Sequence, residues 1–264
     1  MARQGEGSGR GAVRWEGDAH GEDRRGACLN GGAHGEDRAA CGRVGGRREG
    51  DARLGCAACT GYKPASPRCV RCRAKGDGYG ALWPDGRPRC AWANPDNPAY
   101  VAYHDHEWGV PCHDDGRLFE LLVLECFQAG LSWECILNKR EGFRRAFHGF
   151  DVARVAAFTE EDVNRLMADP SIVRSGAKIR AAVGNARAFM GVQEEFGSFD
   201  AYLWGWVDGE PLRETGLSSS PLSEALSRDL KRRGMRFVGP ATAYAFLQAA
   251  GVVNSHDECC YLHG

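Results

Sequence analysis

Helix start and stop signals follow one another at short intervals from Cys90 to the C terminus, and this succession constrains the fold more than any other feature of the chain. Asp114 or Asp115 can cap a helix that ends near Gly130, and Ser132 can cap the next one. No segment alternates convincingly between apolar and polar residues, as a half-buried strand would. The sequence therefore predicts an all-α domain in residues 86–264, with strands minor or absent.

One charged residue interrupts the apolar stripe of the helix that follows Asp114. The stripe passes through Leu118, Leu121 and Leu122, and its next position is Glu125. A carboxylate on an apolar face is costly unless it is paired, protonated or awaiting a ligand. Because the helix ends close after Glu125, this residue and Trp133 flank one tight corner. Two interpretations stay open: a pocket wall, or a buried glutamate satisfied by an arginine or by backbone amides, with Trp133 in the core.

Further capping residues and apolar periodicity predict the helices that follow. Their predicted starts are Trp133, Asp151, Thr159, Ser175 and Phe199. The first of them is expected to run as one helix to about Phe147, and Asp169 with Pro170 stops the one that begins at Thr159. The last ends at Asp208 and Gly209. These helices would supply the core that surrounds the corner at Glu125.

A glycine-bounded hairpin with a basic cluster lies near the C terminus. One helix ends in Lys231, Arg232 and Arg233, and Gly234 is placed as the left-handed residue after it. The next helix opens at Gly239 and Pro240. Free amides at that helix start, together with Arg236, favour binding of a phosphate. The predicted DNA-backbone contacts are Gly234, Arg236, Gly239, Lys231 and Arg232. The alternative is an ordinary turn between helices whose cations face water.

The first 85 residues differ in composition from the rest. Residues 1–55 are rich in Gly, Arg, Asp and Glu with almost no large apolar side chains, so we expect a mostly disordered N-terminal extension. Residues 56–85 contain two Cys-x-x-Cys pairs and form a candidate small zinc ribbon or linker. The ligands of this second, tentative metal site would be Cys56, Cys59, Cys69 and Cys72. The domain described above would then occupy residues 86–264.

Several classes of protein are excluded by composition. There is no run of about 18 apolar residues that could span a membrane, and the N-terminal residues lack an apolar signal core. Twelve cysteines without a secretory signal indicate thiols and metal sites in a reducing compartment. We therefore expect a cytoplasmic, nucleoid-associated protein, or a nuclear or organellar one in a eukaryote. The net charge of −1 means that any nucleic-acid surface must be a local patch.

Cysteines and histidines near both ends of the domain are candidate metal ligands. They are Cys90, His104, His106, His113, His256, Cys259 and Cys260. His256 and Cys260 would share one helix face if the tail were helical. A set of two cysteines and two histidines would close a tetrahedral zinc and leave no position for an activating water, so such a site would be structural. Surface histidines and core cysteines are the alternative.

Six sequence blocks together resemble the 3-methyladenine DNA glycosylase I family of base-excision repair enzymes. They are RCAW at Arg89, YVAYHDHEWGVP at Tyr100, LECFQAGLSW at Leu124, KIRAAVGNARAF at Lys178, LKRRGMRFVGPATAYAFLQAAGVVNSH at Leu230, and Cys260. The resemblance runs in order over nearly all of the second part of the chain. It departs from the family at Ala241, where threonine is common, and in the last four residues, where the family has an arginine-containing tail.

The resemblance implies a helix-hairpin-helix DNA glycosylase fold with a structural zinc clasp. Residue by residue, the zinc would fall on Cys90, His104, His256 and Cys260, although Cys259 stands beside the last ligand. The base pocket would be formed by Glu125, Tyr103 and Trp133, with Tyr100 and Trp108 as neighbours, and the hairpin would be residues 234–239. The expected partner is double-stranded DNA that contains alkylated purines, bound by a monomer.

The expected reaction is hydrolysis of the N-glycosidic bond of 3-methyladenine after the base is extruded from the duplex. Glu125 is the predicted catalytic residue, assigned to recognition of the cationic base and, further, to stabilising the sugar cation and positioning water. Two other functions compete with this one. The first is a DNA-binding module without catalysis, and the second is a metallohydrolase with an open metal site at residues 104–107.

Overall fold

The computed structural model describes residues 83–258 and 260–263. The predicted extension, residues 1–55, and the candidate ribbon cysteines Cys56, Cys59, Cys69 and Cys72 lie outside the described residues, as does Cys259. Within the described part, ten α-helices and two short 3-10 helices account for most of the chain, and the two strands have two residues each. The prediction of a mostly helical domain with minor strands is confirmed.

The elements follow one another with short connections. The helices are α1 Pro98–His106, α2 Asp115–Gln128, α3 Trp133–Asn138, α4 Arg140–Ala146, α5 Val152–Ala156, α6 Glu160–Ala168, α7 Gly176–Phe196, α8 Phe199–Trp204, α9 Pro221–Arg232 and α10 Pro240–Ala249. The 3-10 helices are His148–Phe150 and Gly205–Val207. The strands are β1 Leu212–Arg213 and β2 Val253–Asn254, which pair in parallel.

The predicted capping residues begin the predicted helices. The Asp114 side chain accepts a hydrogen bond from the Arg117 amide at the start of α2, and Ser132 accepts from the Cys135 amide at the start of α3. Thr159 opens α6 in a reciprocal capping box with Asp162. These bonds satisfy backbone donors that a helix leaves free in its first turn. Local sequence therefore determines where these helices begin.

The single helix predicted from Trp133 to about Phe147 is wrong. The chain forms α3 and α4 instead, divided at Lys139, whose backbone (φ −100°, ψ 0°) departs from the helical region. The Lys139 ammonium donates a hydrogen bond to the Pro170 carbonyl at 2.8 Å, a contact with a segment distant in sequence. The apolar periodicity continues through the break because both helices pack on the same core.

Helix α2 lies at the centre of the main core. Ten consecutive residues of this helix are buried, from Leu118 to Phe127, and it packs against α3, α7, α8 and α10. A helix buried on every side needs apolar residues around its whole circumference, so the polar members of the run stand out. They are Glu120 and Glu125. The fold thus brings one glutamate that the sequence singled out into the centre of the domain.

A second, smaller apolar cluster joins the two ends of the described chain. It contains Cys90, Tyr103, Trp108, Leu137 and Cys260, with Trp133 packed against both this cluster and the main core. Strand β2 lies just before the C-terminal tail that carries Cys260. Among the described helices, none combines the length and the apolar character that crossing a membrane requires.

Candidate base pocket, metal cluster and DNA-binding hairpin

Glu125 is buried and has no partner in the described part of the chain. Its side chain is 4% exposed, and no described residue donates a hydrogen bond to it or forms an ion pair with it. Desolvation by burial alone raises the pKa of Glu125 to about 8. An uncompensated buried carboxyl group is costly, so its retention on the buried part of this helix indicates a ligand-binding role.

Two aromatic residues of the predicted pocket pack against each other. The rings of Tyr103 and Trp133 lie 5.0 Å apart at an angle of 46°. Burial raises the pKa of Tyr103 well above its usual value, and the charge of Glu125 raises it further, which places the phenol near the carboxylate. The indole nitrogen of Trp133 is buried and has no hydrogen-bond partner in the described part of the protein. The corner therefore combines aromatic faces with two unsatisfied polar groups.

The turn between α2 and α3 shapes this corner. Gly130 has φ +82°, a left-handed conformation that ends α2 and reverses the chain towards Trp133. Lys178 from α7 donates hydrogen bonds to the carbonyls of Phe127 at 2.8 Å and Ala129 at 2.6 Å, which caps the free end of α2. Sequence analysis did not single out Leu131, whose side chain is 39% exposed at this turn.

The buried arginines near the corner are bound to other carboxylates. Arg140 donates to Glu120 at 2.8 Å and to Glu107 at 2.9 Å, and Arg117 pairs with the same two glutamates. The interpretation of Glu125 as a glutamate neutralised by an arginine is therefore wrong for the described residues. Of these three glutamates, Glu125 alone has no cationic partner among the described residues, while Nη2 of Arg140 is buried without a hydrogen-bond partner.

The four predicted zinc ligands converge, although they are separated by up to 170 positions of sequence numbering. The ligand atoms of Cys90, His104, His256 and Cys260 all lie within 4.8 Å of one another and are buried. Neighbouring sulfur and nitrogen atoms are 3.3 to 3.5 Å apart. Zinc–sulfur bonds of about 2.3 Å and zinc–nitrogen bonds of about 2.0 Å in a tetrahedron require sulfur–nitrogen separations of roughly 3.5 Å. The donor set fits a four-coordinate metal.

Hydrogen bonds fix which nitrogen of each histidine faces the cluster. Nε2 of His256 lies 3.1 Å from the Trp108 carbonyl, so it donates its proton there and Nδ1 faces both cysteines. Nδ1 of His104 lies 2.8 Å from Asp105, so Nε2 faces Cys260. Such outer contacts orient histidine ligands in metal sites. Each imidazole therefore presents an unprotonated nitrogen to the cluster.

The cysteines also carry features of thiolate ligands. The Asp257 amide donates to the Cys90 sulfur at 3.3 Å, and the Leu262 amide donates to the Cys260 sulfur at 3.5 Å. A hydrogen bond from the Cys90 thiol and contacts with both histidines lower the pKa of Cys260 to about 2, while the same hydrogen bond and burial raise the pKa of Cys90. A low pKa favours the deprotonated sulfur that a metal binds.

The tail that supplies two ligands is a turn, and the condition that it be helical is not met. The Cys260 amide donates to the Asp257 carbonyl at 2.7 Å, which closes a tight turn around the ligands. His256 and Cys260 still lie together, with 3.4 Å between their ligand atoms. The two residues lie together as predicted, but a turn and not a helix brings them there.

The remaining aromatic residues of the predicted pocket lie on the metal side of the corner. Trp108 packs edge-on against His256 at 4.7 Å and against Trp92 at 4.8 Å, and Tyr100 packs against Trp92 at 5.4 Å. Trp92 was present in a recognised block but was not predicted as a site residue. It links the predicted pocket neighbours to the Cys/His cluster, and its position two residues after Cys90 was the signal that the sequence offered.

The alternative metal site at residues 104–107 does not assemble. Only His104 joins the cluster. Asp105 binds the Arg89 guanidinium as well as His104, His106 is exposed, and Glu107 pairs with arginines. The candidate ligand His113 is also elsewhere, bonded to Asp200 at 2.8 Å and 58% exposed. Within the described residues, the single cluster of metal-binding type is the buried one.

The hairpin between α9 and α10 has the predicted ends but an unpredicted interior. Gly234 has φ +94° as expected, whereas Gly239 caps α10 in an extended conformation with φ −63°. Pro240 occupies the first position of α10 as expected. Phe237, which the sequence analysis did not single out, has φ +58°. The left-handed residues of the hairpin are thus one glycine and one phenylalanine.

The cations of the hairpin region divide into paired and unpaired ones. Arg232 and Arg233 both bind Asp229, and Arg233 also binds Glu195 at 2.6 Å. Lys231 and Arg236 are exposed and have no carboxylate partner among the described residues. Unpaired cations beside a helix start leave their charge available for an anion. The geometry therefore favours Lys231 and Arg236 over Arg232 as phosphate contacts.

Comparisons with known proteins agree on one family. The family model described as Methyladenine glycosylase matches residues 92–263. DNA-3-methyladenine glycosylase 1 of Escherichia coli (strain K12) is 48% identical over 181 residues, which are 66% of this chain and 96% of that protein. DNA-3-methyladenine glycosylase of Haemophilus influenzae is 40% identical over 178 residues, which are 65% of this chain and 96% of that protein.

Solved structures give the same result. A crystal structure of a 3-methyladenine DNA glycosylase I superimposes with a TM-score of 0.64 at 45% identity and covers 67% of this chain and all of that one. A structure concerned with 3-methyladenine recognition by the Staphylococcus aureus enzyme has a TM-score of 0.63 at 38% identity, covering 66% and 95% of the two chains. With a family match over most of its length and a relative covered almost completely at 48% identity, this chain belongs to the methyladenine glycosylase family.

Proposed function

We propose that this protein extrudes N3-alkylated adenine from duplex DNA and hydrolyses its N-glycosidic bond, releasing 3-methyladenine. The observation that carries the proposal is the buried, unpartnered carboxyl group of Glu125 beside the rings of Tyr103 and Trp133. Relatives of the same family are named for this activity, and one of them has been solved with 3-methyladenine. A passive DNA-binding module would have no use for such a corner.

The chemistry of the lesion explains why these residue types are suitable. Alkylation at N3 gives adenine a positive charge that undamaged adenine lacks. The faces of Tyr103 and Trp133 attract a cationic ring, each by roughly 0.5–2 kcal/mol. Glu125 adds an opposite charge and a hydrogen-bond acceptor, and the bound cation offsets the desolvation that keeps this carboxyl group protonated. Selection of the damaged base therefore rests on charge.

Hydrolysis transfers the bonding electrons of the sugar–base bond to the departing base. Because the base leaves as neutral 3-methyladenine, it needs little help from a general acid. Positive charge moves to the sugar, and the oxygen of a water molecule bonds to the anomeric carbon while that water releases a proton to the solvent. Attraction of the bound cation alone would strengthen ground-state binding without raising the rate. We therefore also assign Glu125 to stabilising the sugar cation and positioning water.

A helix-hairpin-helix element would hold the DNA backbone during this reaction. Pro240 has no amide hydrogen, and the amides of Ala241 and Thr242 in the first turn of α10 have no intrahelical acceptor. Together with Lys231 and Arg236 they form a site for backbone phosphate that reads no sequence. The exposed Leu131 at the corner would occupy the space that an extruded base leaves in the stack.

The buried Cys/His cluster would hold a structural zinc ion. Two sulfurs and two histidine nitrogens at tetrahedral separations are the donors that zinc prefers, and all four positions come from the protein. Bound zinc would supply folding free energy rather than a reactive water. The ligands come from the segment before α1, from α1 itself and from the C-terminal tail, so the ion would join both ends of the domain.

The experiment is a product assay on methylated duplex DNA with the full chain. Chromatography should show free 3-methyladenine released by the protein, and Glu125→Gln should reduce the release without lowering the melting temperature. Glu210→Gln, an exposed glutamate outside the pocket, is the matched control. Full release by Glu125→Gln would refute the role of this carboxyl group, and absence of release by the unaltered protein would refute the proposed function.

A further inference from the structure

The hairpin holds a bulky aromatic residue in a conformation that normally requires glycine. Phe237 has φ +58°, within the left-handed region that large L side chains rarely adopt. Its side chain is 38% exposed, although phenylalanine is usually buried. A conformation of this kind persists only where the surrounding structure enforces it, and such positions concentrate at functional sites. Both features occur next to the proposed phosphate site.

Buried polar side chains fix the backbone on both sides of Phe237. Asn185 accepts a hydrogen bond from the Arg236 amide at 2.8 Å and donates one to the Arg236 carbonyl at 3.0 Å. Ser227 donates to the Val238 carbonyl at 2.6 Å. Asn185 is completely buried on α7, and Ser227 is 1% exposed on α9. These bonds fix the backbone on both sides of Phe237 and so hold its left-handed conformation in place.

The same anchor connects the hairpin to the helix that carries Glu125. Cys126, the next residue of α2, has its sulfur 3.8 Å from the Arg236 carbonyl and accepts from the Asn185 amide group at 3.6 Å. The thiol is buried, and desolvation raises its pKa to about 12, so it stays protonated and can donate. The position of the hairpin is therefore set directly against the base pocket.

We infer that Phe237 packs its exposed ring against the deoxyribose of the DNA strand that the hairpin binds, and that Asn185 is the positioning residue that holds the ring outwards. A phosphate at the start of α10 and at Arg236 brings the adjoining sugar to the hairpin surface. The sugar offers an apolar face, which suits a phenylalanine ring that is partly exposed at the surface. This inference rests on the proposed DNA glycosylase function.

The first test replaces the ring and relieves the backbone at once. In Phe237→Gly, glycine adopts the left-handed conformation without strain, so the melting temperature should stay the same or rise. Loss of the apolar contact should raise the KM for methylated duplex about fivefold, while the single-turnover rate at saturating DNA changes less than twofold. A merely structural residue would not give this split. Met167→Ala, an exposed apolar residue on α6, is the control.

Salt dependence distinguishes an apolar contact from a charged one. The slope of log KM against log salt should be the same for Phe237→Gly and the unaltered protein, because no phosphate contact is lost. An unchanged KM in Phe237→Gly would overturn the inference. A rise accompanied by a smaller salt slope would also overturn it, since the residue would then act by positioning charge.

Asn185 is tested by a double-variant cycle. Asn185→Asp keeps the shape and can still accept from the Arg236 amide, but its carboxylate repels the Arg236 carbonyl. Its KM should rise as in Phe237→Gly, and the double variant should show little more than the larger single effect, because both changes remove one contact. If the increase in KM of the double variant equalled the product of the two single increases, Asn185 would not act by positioning Phe237. If Asn185→Asp fails to fold, Phe237→Gly alone still decides the ring contact.

Failure of the inference can be separated from failure of the proposed function. If the unaltered protein releases 3-methyladenine and Phe237→Gly has an unchanged KM, only the inference fails. If no base is released, the proposed function fails, and fluorescence anisotropy with undamaged duplex still measures the hairpin. In that case an equal dissociation constant for Phe237→Gly and the unaltered protein would overturn the ring contact too.

Discussion

Two buried polar clusters lie side by side in this domain and differ in how completely their groups are satisfied. In the Cys/His cluster, each histidine forms a hydrogen bond to a group outside the cluster, and each cysteine sulfur accepts a hydrogen bond from a backbone amide. At the base pocket, the Glu125 carboxyl group and the Trp133 indole nitrogen have no partner among the described residues. A cluster whose polar groups are all hydrogen-bonded stabilises the folded structure. A cluster with unsatisfied buried groups costs stability in the free protein, and a ligand that binds those groups removes this cost.

Metal removal should have the largest effect, because the satisfied cluster would be needed for folding. Structural zinc contributes an apparent binding free energy of about 10–16 kcal/mol, comparable to or larger than the net stability of about 5–15 kcal/mol of a typical domain. A strong chelator should therefore abolish the cooperative thermal transition followed by circular dichroism. Elemental analysis should find at least one zinc per chain before treatment and none after it.

Cys90→Ser should reproduce the effect of the chelator, while Cys112→Ser should not, because Cys112 is a half-buried thiol outside the cluster. If metal-free protein keeps its melting temperature, the Cys/His cluster is not a structural clasp. The two clusters would then not differ in their importance for folding.

Substitution of Glu125 should have the next largest effect, and on activity rather than folding. Glu125→Gln keeps the shape of the side chain but cannot carry the charge that the cationic base and the sugar require. Loss of one electrostatic contact of this kind typically reduces the rate about 10²-fold to 10³-fold. Single-turnover release of 3-methyladenine at saturating DNA measures it. An unchanged rate with a raised KM would restrict Glu125 to recognition.

The pH dependence of stability tests the same carboxyl group in the absence of DNA. Burial raises the pKa of Glu125 from 4.5 to about 8, so the folded state holds a proton that the unfolded state has lost between these values. The free energy of unfolding should therefore fall as pH rises through this window. Glu125→Gln lacks this loss, so its stability advantage should grow by on the order of 2 kcal/mol from pH 6 to pH 8.

Denaturant titrations of both proteins across this range measure the difference. A stability difference that is constant with pH would mean that Glu125 titrates near its ordinary value, which would require a partner for the carboxylate. The pocket would then be as satisfied as the metal cluster.

The sequence predicted the parts of this contrast that depend on local pattern. The caps at Asp114, Ser132 and Thr159 and the inward position of Glu125 follow from helical periodicity, and the structure confirms them. The break at Lys139 and the turn before Cys260 were missed. Both depend on contacts with distant segments, which a local pattern does not contain.

Contacts between distant residues also limited the prediction of the site. Resemblance to a family, and not spacing, brought Cys90 together with His256, because no periodicity relates residues so far apart. The free state of Glu125 could not be read from the sequence, since Arg140 and Arg117 were equally available to pair with it. Asn185 resembled an ordinary polar residue on a helix until its two bonds to Arg236 were seen.

Substitutions of two tryptophans should have different effects, because Trp133 belongs to the base pocket and Trp108 packs against the Cys/His cluster. Trp133→Ala removes a face of the base pocket and should reduce 3-methyladenine release about tenfold, the value of one cation–π contact of roughly 1.4 kcal/mol. Trp108 packs on His256 instead, so Trp108→Ala should lower the melting temperature and speed zinc release. If both variants lost activity equally under conditions in which both are fully folded, Trp108 would belong to the base pocket as well.

The smallest effect should come from the hairpin, where the contrast between satisfied and unsatisfied groups recurs in two arginines. Arg232 is bound to Asp229, whereas Arg236 has no carboxylate partner in the described part of the chain. If free charge is what binds a phosphate, Arg236→Gln should reduce the slope of log KM against log salt by about 0.9, and Arg232→Gln should change it little. Both KM values at low salt should stay within about tenfold of the unaltered protein, since each substitution removes one phosphate contact at most. Equal slopes for the two variants would show that DNA displaces Asp229 from Arg232, and pairing in the free protein would then be no guide to which cation binds DNA.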